Sequence, residues 1–168
     1  MPEGTPLGLV ASSFIVPHPC APSCHAATIA PTDRGMIAAF FSGSAEGASD
    51  VGIWLSDRHE SGWSAPRQVA SAEGGHPCWN PVLFGIPHGP LLLFYKVGPN
   101  CADWWAMLTV SHDGGRTWSH SQPLPARTWG PIRNKPVLLA DGWADENQPK
   151  GTRVTKIIFS CFCSARAN

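Results

Sequence analysis

The chain has 168 residues, enough for one sizeable core, and its 12 Lys and Arg balance 12 Asp and Glu. Zero net charge without a basic stripe gives no footing for nucleic acid, and no acidic run marks a solvating arm. Charged residues are only 14%, against 17 Gly, 17 Pro and 8 Trp, so many turns and few long polar helices are expected, as in an all-β protein.

The first 19 residues, MPEGTPLGLVASSFIVPHP, read as a lead segment. They contain no basic stretch followed by a long apolar run, so neither a signal peptide nor a membrane span is expected, and a cytoplasmic location is the default. Cys20 and Cys24 have the offset of a zinc half-site, with His18 and His25 beside them. A matching second half is missing, because Cys161-Phe-Cys163 is too tightly spaced and its surroundings are apolar. No metal or other cofactor is therefore expected.

Four β-rich runs follow: HAATIAP (25–31), GMIAAFFS (35–42), DVGIWLS (50–56) and WSAPRQVA (63–70). After the linker GGHPCWN come NPVLFGI (80–86), PLLLFYKV (90–97), WWAMLTVS (104–111) and WSHSQPLP (118–125). A third set opens with KPVLLADG (135–142). The tail from 143 to 168 aligns with nothing earlier, and only Val154 to Cys163 reads as a short strand.

The runs repeat. Trp63-Ser64 and Trp118-Ser119 lie 55 residues apart, and the same shift aligns Ser56 with Ser111, Ile53 with Leu108 and Gly43 with Gly98 without a gap. Ala26 to Ile29 falls on Pro81 to Phe84, and a second shift reaches Pro136 to Leu139. Four antiparallel strands in about 50 residues is the size of a propeller blade. The predicted fold is a partial β-propeller, with lead segment 1–19, blades over 20–142 and a divergent tail over 143–168. Blade one covers about 25–70, blade two about 80–125, and a third blade starts at 135–142.

Between the third and fourth runs of blade two stands SHDGGRTWS (111–119). Asp113 turns its side chain back onto backbone N–H groups, Gly supplies positive φ, and Trp118 packs beneath the turn. Ser111, Asp113, Gly115, Thr117 and Trp118 match S-x-D-x-G-x-T-W, the Asp-box of the bacterial neuraminidase repeat. With HAAT, FFSGSAEG, CWNPVLF, LLLFYKVG and GPIRNKPVLL in order, the chain from about 20 to 142 resembles the six-bladed sialidase-like family.

Blade topology puts the Asp-box at the bottom and three kinds of segment at the opposite mouth: inner-strand starts, strand two–three loops and blade linkers. His25, Asn80 and Lys135 begin successive inner strands. Glu46 and Asp50 lie in the loop of blade one, and Lys96 and Asp103 in that of blade two. His76, Trp79, Arg133 and Asn134 come from the linkers. A mouth of carboxylates, cations, amides and indoles suits a glycan.

The resemblance implies retaining glycoside hydrolysis of sialic acid or another acidic glycan, with Asp50 best matched to the acid/base and Arg133 to a carboxylate binder. Glu46 and His25 stand beside Asp50 as catalytic candidates. Asn80, Lys96, Asn134, Lys135 and Trp79 stand with Arg133 for substrate binding. The only tyrosine, Tyr95, lies within a strand of blade two, whereas the family nucleophile comes late in the chain. No arginine motif precedes blade one. The expectation is a fragment of a carbohydrate-active protein, incomplete for catalysis by itself. The alternatives are a non-catalytic glycan-binding or scaffold module, and a lyase-type propeller with His25 as base.

Overall fold

The computed structural model describes residues 12–16, 18, 20–71, 74–139 and 156–158. Most of the expected lead segment, and the tail apart from 156–158, lie outside the described residues. Among those residues there are strands and no helix.

Blade one comprises β1 (Ser23–Thr32), β2 (Gly35–Gly43), β3 (Gly52–His59), β4 (Gly62–Trp63) and β5 (Arg67–Ala70). They pair antiparallel in the order β1-β2-β3-β4, and β5 also pairs β3. Blade two comprises β6 (Cys78–Gly85), β7 (Leu91–Val97), β8 (Trp105–Ser111) and β9 (Gln122–Pro123), in that order in an antiparallel sheet. β10 (Val137–Leu139) pairs antiparallel with β11 (Lys156–Ile158), so the strand expected in the tail meets the strand expected to open blade three. These sheets are the partial propeller that the repeat predicts.

The outermost strands are shorter than their sequence runs. The run at 63–70 splits into β4 and β5 around Pro66, and the run at 118–125 keeps only β9, with Pro123 and Pro125 in place of ladder donors.

The period also shifts by one. Thr28 pairs Ala39 and Leu83 pairs Leu93, so the blades are offset by 55 in the first strand (83 − 28) and by 54 in the second (93 − 39). The β6–β7 connection is one residue shorter: five residues separate the pair Gly85–Leu91, against six between Ala30 and Ile37. Ile53 consequently corresponds to Met107, not Leu108. Ile53 and Met107 pack in one core, while Leu108 faces another. A slip of one residue turns a strand side chain to the other face of the sheet.

The larger core lies between the blades. Ile37, Ala39 and Phe41 of β2 and Ile53 and Leu55 of β3 meet Leu83, Leu91, Leu93 and Tyr95 of blade two. Val82, Leu92 and Phe94 form a second core on the far face of blade two, with Leu108 and Leu124 against it. All seven residues of β7 are buried, which explains why Leu91 to Tyr95 are successive apolar residues and not an alternation.

Candidate functional site

At one end of the blades the Asp-box closes on itself. Ser111 Oγ donates to Asp113 Oδ1 at 2.8 Å and accepts from the Gly115 N–H at 2.8 Å. Asp113 accepts from Thr117 N at 2.9 Å and from Thr117 Oγ1 at 2.6 Å. The Thr117 hydroxyl, its backbone N–H and the Ser111 hydroxyl hold the Asp113 carboxyl far below the usual carboxylate range. Trp118 Nε1 donates to the Gly115 carbonyl at 3.1 Å.

The same turn joins the two blades. Arg67 donates to Asp57 and, at 2.5 Å, to the Gly115 carbonyl, while Arg34 donates to the Gly114 carbonyl at 3.3 Å. The β1–β2 and β6–β7 turns share this end, around a recess lined by Asp33, Arg34, His88 and Asp113. Architecture fully occupies the Asp-box, and the β2–β3 and β7–β8 loops lie at the opposite end.

At that opposite end both inner strands are bulged. The β1–β2 ladder slips between His25 and Thr28, and the β6–β7 ladder slips between Trp79 and Val82. In each bulge the first unpaired residue is left-handed without being glycine: Ala26 at φ 54° and Asn80 at φ 39°. Such backbone costs on the order of 1–3 kcal/mol and concentrates at binding and catalytic sites. Ala26, Ala27, Thr28 and Pro81 of these bulged strands line a recess of about 460 Å³, together with Arg133 and Lys135 of the linker.

Lys135 reaches across both inner strands. Its Nζ donates to the Ile29 carbonyl at 2.5 Å and to the Leu83 carbonyl at 2.9 Å, and burial lowers its pKa. Thr28 Oγ1 accepts from the Leu83 N–H at 3.4 Å, a second tie between residues one period apart. Arg133 and Asn134 are exposed beside this bridge, and among the described hydrogen bonds and ion pairs Arg133 has none.

An aromatic row runs along the mouth. The His25 ring lies 5.5 Å from Phe41, Phe41 lies 5.8 Å from Trp79, and Trp79 lies 5.4 Å from Trp104. His25 Nε2 is 3.0 Å from Ser23 Oγ, and Trp79 Nε1 donates to the Gly98 carbonyl at 2.8 Å. Phe41 and Trp104 were not singled out by sequence reasoning. Phe41 reads as one more apolar residue of a buried strand, and only its place as the second residue of FFSGSAEG hints at the mouth. The Trp104 indole N–H is buried with no hydrogen-bond partner among the described residues.

The remaining candidates are dispersed. Asp50 is exposed and accepts from Ser44 N at 3.0 Å and Ser44 Oγ at 2.8 Å; that hydroxyl and then that N–H lower its pKa. Glu46 is exposed in the same loop and meets no other candidate among the described contacts. Lys96 is fully buried, donating to the Trp129 carbonyl and, at 2.9 Å, to that of Pro131, so it holds down the linker that carries Arg133. Tyr95 is buried in the inter-blade core, and burial raises its pKa.

Two antiparallel blades packed face to face, an Asp-box at one end and left-handed inner-strand bulges at the other define a sialidase-like partial propeller. The BNR repeat-like domain matches residues 34–144, and the chain belongs to that family. No curated protein matches the chain. Among the described residues no helix is long and apolar enough to cross a membrane, and no cluster of metal-ligating side chains is present.

Proposed function

We propose that the chain is the N-terminal portion of a sialidase-like, carbohydrate-active propeller whose inner-strand recess takes the carboxylate of an acidic sugar. In this reading 1–19 is a lead segment, 20–142 the blades and 143–168 a divergent tail. The observation that carries the proposal is one recess where the left-handed Ala26 and Pro81, of the second bulge, meet Arg133 and Lys135. Arg133 supplies the forked donor for the carboxylate, and Lys135 adds positive potential from its bridge. His25, Asn80 and Asn134 offer hydrogen bonds to hydroxyls, and the Trp79 row offers apolar ring surface. Lys96 acts as support for the linker.

Asp50 remains the acid/base candidate, with Glu46 beside it. Ser44 keeps Asp50 ionised, the state that accepts a proton from water in the second half of a retaining reaction. The first half needs a nucleophile, and Tyr95 is sealed in the core. Binding without turnover is therefore expected of this polypeptide. Titration with sialosides and uronates, alongside a fluorogenic sialoside assay, tests the reading. Arg133→Gln is expected to abolish acidic-glycan binding. Turnover that survives in Asp50→Asn removes Asp50 as acid/base, and binding indifferent to Arg133→Gln removes the recess.

A further inference from the structure

We propose that Cys20 and Cys24 form a reversible dithiol–disulfide pair, a modification site oxidised by exchange with a small disulfide such as oxidised glutathione. Three observations converge. Cys24 stands directly opposite Ser42 in the β1–β2 ladder, so the two side chains share one face of the sheet at close range. The Cys20 thiol donates to the same hydroxyl, with Sγ 3.6 Å from Ser42 Oγ. Both cysteines are exposed, whereas Cys78 is buried and Cys101 sits in the β7–β8 loop of the other blade.

Ser42 is a fixed meeting point. Its residue is fully buried, its hydroxyl donates to the Ser23 carbonyl at 2.7 Å, and its own carbonyl accepts from Trp54 Nε1 at 3.2 Å. Two sulfurs beside one anchored hydroxyl hold each other at high effective concentration. Cys24 lies within β1 and Cys20 on the segment before it, so Cys20 meets the incoming disulfide first and Cys24, its pKa raised by partial burial and by Cys20, resolves.

The Cys20 thiolate attacks one glutathione sulfur, forming a mixed disulfide and releasing one glutathione thiolate. Cys24, having lost its proton to water, attacks Cys20 Sγ and releases the second. Two protein thiols are oxidised, one glutathione disulfide is reduced to two thiols, and one protein S–S bond forms. The new bond clips the segment preceding β1 to the strand one residue before His25, stiffening the rim of the mouth.

The full-length folded chain is equilibrated with oxidised and reduced glutathione, quenched with acid, alkylated and cleaved with trypsin. The peptide ending at Arg34 carries Cys20 and Cys24 and no other cysteine. The expected product is that peptide unalkylated, lighter by two hydrogens, with an effective concentration about tenfold higher in the folded protein than in urea. In Cys24→Ser, glutathione stays attached to Cys20. Equal closure in folded and urea-unfolded chain, separate glutathione adducts on both cysteines, or a bridge to Cys101 would overturn the proposal. The folded-against-urea comparison uses the unaltered chain and does not depend on any variant folding.

Discussion

Replacing Gly115 with alanine tests how the Asp-box is seated on blade one. Gly115 has φ +91°, and a Cβ there would lie 2.5 Å from Ile37 Cδ1, with Leu91 and Trp118 at ordinary contact distance. Two costs combine. The left-handed backbone costs about 1–2 kcal/mol for any residue with a Cβ, and forcing a carbon into a packed core costs about 1–3 kcal/mol. A total near 3 kcal/mol corresponds to a fall in Tm of about 6–12 °C for a chain of this size. Gly74 separates the two effects, because its φ is +83° and a Cβ there meets nothing within 4 Å. Gly74→Ala should therefore lose only the backbone share, about 2–8 °C. Ile37→Val removes the clashing Cδ1 atom at a cost of about 1 kcal/mol. In the double variant, Gly115→Ala should cost about 1–2 kcal/mol less than it does alone. The measurement is urea and thermal unfolding followed by tryptophan fluorescence. Equal losses for Gly115→Ala and Gly74→Ala, or strict additivity with Ile37→Val, would refute the packing of the turn on blade one.

Three further outcomes are expected. The folded pKa of Asp113 is depressed, so its contribution is present above the unfolded carboxyl pKa of about 3.9 and is lost as pH falls toward the folded value; Asp113→Asn should flatten the acid limb of a Tm–pH curve below about pH 4, and an unchanged limb would count against the hydrogen-bond set. Arg67→Lys keeps the charge but cannot reach both Asp57 and the Gly115 carbonyl, so about 1–2 kcal/mol should be lost in urea unfolding; full retention would show that the fork carries nothing. Thr28→Val leaves the Leu83 N–H without its acceptor and should speed amide exchange at Leu83 more than at Leu93, as read by exchange mass spectrometry or NMR.

Much of the fold is legible in the residues. The unbroken run Leu91 to Tyr95 gives a strand buried on both faces, and Ser111 to Trp118 gives a turn whose bonds form as its residue types dictate. The one-residue shortening before β7 is not legible, because Ile53 and Leu108 are both apolar and only pairing shows that they face opposite ways. The bulges were hidden for a related reason. Asn before Pro81 tolerates positive φ, but Ala26 offers no signal at all, and its conformation is imposed by the ladder around it. The destinations of Lys96 and Lys135 are equally opaque, since a lysine reads as solvated until carbonyls from distant segments are brought to its ammonium. In the mouth, residue types gave the polar set and the indole, and tertiary packing added Phe41 and Trp104.

The ammonium bridging Ile29 and Leu83 has a consequence for solubility. Those two carbonyls belong to β1 and β6, the end strands of their sheets, and bare acceptors on a strand edge invite intermolecular pairing. Lys135 occupies both with a cation that an incoming backbone amide would have to displace. Acetylation of that amine, which removes the charge, should convert a soluble preparation into one that nucleates thioflavin-positive aggregates.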